Sequence, residues 1–178
     1  MNSNQRQDTM ANLANLPSAL QAMRQAVDEF LGTARAVPAE RWSEPRAPGK
    51  WSPGQVTEHV AVAFEANGSL FRGPAPGGPP RLLRPLIRHI GLAWVLRRGE
   101  FPRRSRAPRV MQPGPAPAAP PVLLARLRAA ADAFEAGAAA HPGARLEHPY
   151  FGLVPLTDFV RLQEIHTRHH RAQLAATG

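Results

Sequence analysis

The chain has 178 residues, 43% of them hydrophobic, which gives room for one domain with a real core and not for two comfortable ones. It contains no cysteine, so disulfides, thiolate ligands and a cysteine nucleophile are excluded, and any metal has to be held by nitrogen and oxygen. The formal charge of +9 would favour polyanionic partners, but nine arginines and a single acid, Glu100, fall between Arg81 and Arg109, so nearly all of the excess belongs to one stretch.

The first ten residues, MNSNQRQDTM, carry neither a basic stretch nor an apolar run of the secretory kind, and residues 1–12 are expected to form a disordered tail ahead of one domain over 13–178. Leu16, Leu20, Met23, Val27, Phe30 and Leu31 recur at three- and four-residue steps, which predicts a helix from about Pro17 to Ala36. In WSPGQVTEHV, Ser52 fits an N-cap, Pro53 the first helical position and Gln55 the far side of a capping box, so a second helix is expected over 53–72. RGPAPGGPP then ends it. Residues 81–99 predict an apolar, arginine-flanked third helix that Pro85 kinks or starts. Seven prolines between Phe101 and Pro121 predict an extended crossing segment. A fourth helix is expected over 121–140, with Val122, Leu123, Leu127, Ala131 and Phe134 buried, and a last one over 158–175 capped by Thr157. HPGARLEHPYFGLVPLT is read as the connection between these two. The fold class is therefore all-α: four main helices, an extra short one, and long Pro-rich loops. No run of about 18 uninterrupted apolar residues occurs, so no transmembrane segment is expected, and the cytoplasm is the expected location.

Three of the seven histidines lie in EIHTRHHRAQL near the end of the sequence. At about 100° per residue, His166 and His170 fall on the side of Leu156, Phe159 and Leu162; Gln173 also points inward, His169 sits at the flank, and Glu164, Arg168 and Arg171 face away. On the second helix, His59 shares a row with Val56, Ala63, Ala66 and Leu70, while Glu58 and Glu65 project elsewhere. Three core-facing imidazoles need partners, and burying them bare would cost several kcal/mol. A divalent cation satisfies all three at once; a buried hydrogen-bonded polar cluster is the other solution.

WSPGQVTEHVA, followed about a hundred residues later by HPYFGLVPLTDFVRLQEIHTRHHRAQL, resembles the DinB-like superfamily, in particular its DUF1569-type members. In that superfamily a Trp-Ser/Thr-Pro stretch leads to a histidine and the last helix carries His-x-x-x-His-Arg-x-Gln; His59, His166 and His170, followed by Arg171 and Gln173, match this pattern, and His148 to Gly152 resembles the loop before the last helix. The likeness runs from about residue 15 onward. It implies an up-down-down-up four-helix bundle, a three-histidine site for zinc, nickel or iron, a homodimer, and chemistry such as a metal-dependent hydrolase or a transferase that uses low-molecular-weight thiols. The chain departs from some relatives in having alanine where they have an acid in the turn after His59, and in its long Pro- and Arg-rich insert.

Three neutral imidazoles leave a metal its full charge and an open position, at which a water or a thiol becomes nucleophilic at neutral pH. No carboxylate shares the core face of either ligand helix, so the expected proton carriers are His169 or Tyr150, and Gln173 is expected to orient a ligand rather than to coordinate. Arg103, Arg104 and Arg106 are candidates for binding an anionic small-molecule substrate. A solvated arginine surface and contact with an anionic membrane surface are the other readings of the basic stretch. Nucleic acid is disfavoured, because aromatics make up 6% of the chain and no reading motif occurs. The alternative to an enzyme is a non-catalytic bundle with a structural metal or polar cluster and an Arg-rich face for a partner.

Overall fold

The apolar rows form the expected helices in the computed structural model, which describes residues 3–73, 80–102 and 107–175. Helix α1 spans Ser3–Arg35, α2 Pro53–Ser69, α3 Arg84–Ile87, α4 Ala93–Arg98, α5 Pro120–Ala140 and α6 Leu156–Ala175. The long helices α1, α2, α5 and α6 make an all-α bundle. α1 packs on α6 and α5, and α2 packs on α5 and α6, so each long helix touches two neighbours in a ring. Phe30, Phe64, Phe134 and Phe159 fill the centre and are fully buried.

Local chemistry explains the boundaries. The Ser52 hydroxyl accepts from the Gln55 amide at 3.3 Å while Gln55 Oε1 accepts from the Ser52 amide at 3.0 Å, and Pro53 needs no partner at the first helical position. α5 likewise opens on a proline, Pro120. α1 runs back to Ser3, well before the start expected at Pro17 and through most of the segment read as a tail, with Pro17 inside it. Val122, expected in the buried row of α5, is exposed, because Leu123 and Leu127 already occupy the inner face of that turn.

Two further differences concern the approach to α6. The stretch read as a plain connection contains an antiparallel hairpin, β1 Arg145–His148 and β2 Gly152–Pro155, in which the buried Leu146 and Val154 face each other. His148 closes its turn, with Nδ1 accepting from the amides of Tyr150 at 3.1 Å and Phe151 at 3.3 Å. α6 starts at Leu156, so Thr157 lies within its first turn rather than ahead of it.

The connection from α2 to α5 forms an arm and a strap. The arm consists of a 3-10 turn over Arg81–Leu83, then α3, a π turn over Arg88–Leu92, and α4, which Gly99 ends in the left-handed conformation at φ 66°. Pro85 lies in the first turn of α3, so it begins that helix rather than kinking its interior. The strap, described over 107–119, includes a 3-10 turn at Arg109–Met111 and crosses α2. Its backbone is fastened by side chains: Trp42 Nε1 donates to the Ala118 carbonyl at 2.9 Å, Gln55 Nε2 to the Gly114 carbonyl at 2.9 Å, and the Gly114 amide to Glu58 at 3.2 Å. Gly54 makes this crossing close, since a Cβ there would stand 2.7 Å from Pro117 and from Trp42 Nε1.

Candidate metal centre

α2 and α6 bring His59, His166 and His170 together, with one ligand atom from each within 4.8 Å of the others. His166 Nε2 stands 3.2 Å from His59 Nε2 and 3.2 Å from His170 Nε2. The i, i+4 spacing on α6 supplies two of the rings and the buried row of α2 the third. His59 and His170 are buried and His166 half-buried. Trp51 lies over His59 with ring centres 4.8 Å apart, and Phe101, just beyond α4, stands edge-on to His166 at 5.5 Å.

The outer nitrogens decide which way the inner ones point. His59 Nδ1 lies 2.6 Å from the Met111 carbonyl, which can only accept, so this nitrogen carries the proton and Nε2 presents a lone pair. His170 Nδ1 donates in the same way to Gln173 Oε1 at 3.1 Å. Gln173 then uses its amide nitrogen on His169 Nε2 at 3.1 Å, so one carboxamide holds two rings. Two lone pairs thus face His166 Nε2. With its proton on Nδ1, His166 adds a third lone pair; with its proton on Nε2, it serves two acceptors with one hydrogen and leaves Nδ1 bare. Among the described residues, His166 Nδ1 is buried with no hydrogen-bond partner, as is Gln163 Nε2 one turn earlier on α6.

These residues fit a divalent ion. Tetrahedral nitrogen ligands with bonds of about 2.0–2.1 Å stand roughly 3.4 Å apart, close to the two 3.2 Å separations. Electrostatics agree, because ligation requires neutral imidazole. Burial pushes His166 well below the ordinary histidine value, and His170, His59 and His169 add to it. Burial also takes His170 well down, helped by His59 and His169 and opposed by the bond to Gln173. His59 is lowered by burial against the opposing effect of the Met111 carbonyl.

The other expected site residues divide. Gln173 and His169 surround the cluster, with Gln173 orienting His170 and His169 half-buried; burial lowers His169 while Glu100 opposes the shift. Tyr150 lies in the hairpin turn beside His148, with ring centres 6.2 Å apart. Arg103, Arg104 and Arg106 lie outside the described residues. Arg168 and Arg171 turn from the cluster as expected, yet face a partner: Glu29 of α1 accepts from Arg168 Nη1 at 2.8 Å and also pairs with Arg171. Sequence reasoning missed Met111, which acts through a backbone carbonyl. Glu58 bonds the strap, and among the described residues no carboxylate joins the three-histidine group.

No helix among the described residues is long and apolar enough to cross a membrane. No curated protein and no solved structure matches the chain. The family model described as DinB superfamily matches residues 19–174, a span that includes all three histidines, the whole of α2 and α6 up to Leu174. The chain belongs to the DinB superfamily.

Proposed function

We propose that the protein is a metal-dependent enzyme that hydrolyses a small molecule or transfers a low-molecular-weight thiol to it, with His59, His166 and His170 holding zinc, nickel or iron through Nε2. The observation that carries this reading is the meeting of three Nε2 atoms whose outer nitrogens are already committed or buried. A divalent ion there supplies Lewis acidity and makes a water or thiol nucleophilic at neutral pH.

The protein's own groups do the rest. Met111 and Gln173 fix two ring orientations, and Trp51 and Phe101 provide apolar walls that limit water. His169 receives the Gln173 amide at Nε2, so its neutral ring carries the proton on Nδ1 and is the group suited to pass a proton at the rim. Homodimerisation and a cytoplasmic location belong to the same proposal. The non-catalytic reading keeps one observation in its favour: two surface cavities, of about 330 and 370 Å³, are lined by residues of the arm and of the hairpin side, and none of the three histidines lines either.

Elemental analysis of tag-free protein, beside His59→Ala and His170→Ala, tests the metal. The expected result is near one equivalent in the native chain and loss of it in both variants, followed by turnover in a thiol and ester substrate screen. Folded native protein that takes up neither zinc nor nickel nor iron would sink the proposal, and a loaded protein inert across the screen would favour the structural role.

A further inference from the structure

The arm is apolar on two sides. Leu92 and Val95 are buried and α4 packs on α6, so its inner side belongs to the core. Its outer side carries Leu82 at 89% exposure, Leu86 at 59%, Ile90 at 66% and Trp94 at 38%. In a regular α-helix a four-residue step overshoots a full turn by about 40°, and Leu86, Ile90 and Trp94 would fan out. The π turn over Arg88–Leu92 takes up an extra residue and works against that drift, and Leu86, Ile90 and Trp94 are all exposed along the arm. Arg97 and Arg98 are exposed beside its end, and the Arg98 guanidinium lies over the Trp94 ring at 5.8 Å.

We propose that this row docks the protein on an anionic phospholipid surface, with Leu82, Leu86 and Ile90 entering the boundary between headgroups and acyl chains while Arg97 and Arg98 meet headgroup phosphates. An exposed apolar row with arginines at its edge and an aromatic ring at the junction is the pattern of a helix lying in a membrane interface. Charge selects this occupant over a second copy of the chain. Among the described residues Arg97 and Arg98 are exposed at the end of the row, so pairing the face with itself sets arginine against arginine, whereas an anionic bilayer supplies both the apolar depth and the counter-charge.

The test is sedimentation of the full chain with vesicles of phosphatidylcholine alone and of phosphatidylcholine mixed with phosphatidylglycerol, at low and high salt. Binding to the mixed vesicles only, weakened by salt, is expected; Ile90→Asp, Leu82→Asp and the pair Arg97→Glu with Arg98→Glu should each reduce it by roughly tenfold or more. These side chains are exposed, and unchanged circular dichroism verifies that the variants fold. Failure to sediment with mixed vesicles, or sedimentation indifferent to Ile90→Asp and Leu82→Asp, overturns the proposal. So does a lipid-free dimer by light scattering that Ile90→Asp converts to monomer, since the row would then belong to a self-contact.

Discussion

The arm and the strap are consecutive parts of one connection between α2 and α5, yet they are held in opposite ways. The arm is helical and rich in leucine, and it turns much of its apolar surface outward. The strap is rich in proline, and among its described residues the only regular turn is the 3-10 turn at Arg109–Met111, but side chains of Trp42, Gln55, Glu58 and His59 all bond its backbone. Proline removes donors and so leaves carbonyls to be satisfied from elsewhere. Here three carbonyls, with the Gly114 amide beside them, became the attachment points, and the Met111 carbonyl serves the histidine cluster. Hydrophobicity alone would have ranked the two segments the wrong way round for attachment to the core.

The contrast can be broken at four points. Acid should act most strongly, because the strap is bonded through Met111 to a histidine cluster whose rings are held below their ordinary values. In metal-free protein the unfolded chain takes up protons near pH 6.5 while folded His59, His166 and His170 resist them. Stability is therefore full above that pH and falls as pH drops toward the folded values, by up to about 1.4 kcal/mol per pH unit for each ring. Urea midpoints measured with chelator at about pH 7.5 and about pH 5.5 should separate widely, and equal midpoints would contradict the burial of neutral rings.

Next comes Gly54→Ala. Its Cβ would collide with Pro117 and Trp42, so the strap must shift, at a cost of about 1–3 kcal/mol in thermal unfolding. Metal affinity should fall as well, because Met111 moves with the strap. An unchanged melting point together with unchanged metal affinity would refute this coupling. Trp42→Phe removes the bond to Ala118 and should cost about 1–2 kcal/mol by denaturant titration, with a smaller loss of metal affinity. The least effect belongs to the arm: Ile90→Ser should alter stability by less than about 0.5 kcal/mol and leave metal binding alone. A large destabilisation there would mean that the outer row is covered in the folded chain.

The parts legible in the sequence were those whose signal is local. Ser52, Pro53 and Gln55 lie within one turn and make each other's hydrogen bonds. His166 and His170 follow the period of the helix they sit on, and His59 follows the row from Val56 to Leu70. The hairpin was hidden because its strands are four residues long and only Leu146 and Val154 are buried in them, too few to show alternation. Glu29 was unreadable as the partner of Arg168 and Arg171, since a pairing across 139 and 142 residues leaves no spacing to detect. Met111 was hidden more deeply, because every residue type has the carbonyl that it uses.

That carbonyl would make metal occupancy visible from outside. Any ion that prefers the folded arrangement of His59 also favours the strap geometry that holds it, and at a hundred times its dissociation constant such a ligand adds about 2.7 kcal/mol to the folded state. Whatever part of that is expressed as local closure should protect the Pro-rich segment from proteolysis. A protease clipping between α4 and α5 would then report whether, and how far, the three histidines take up an ion.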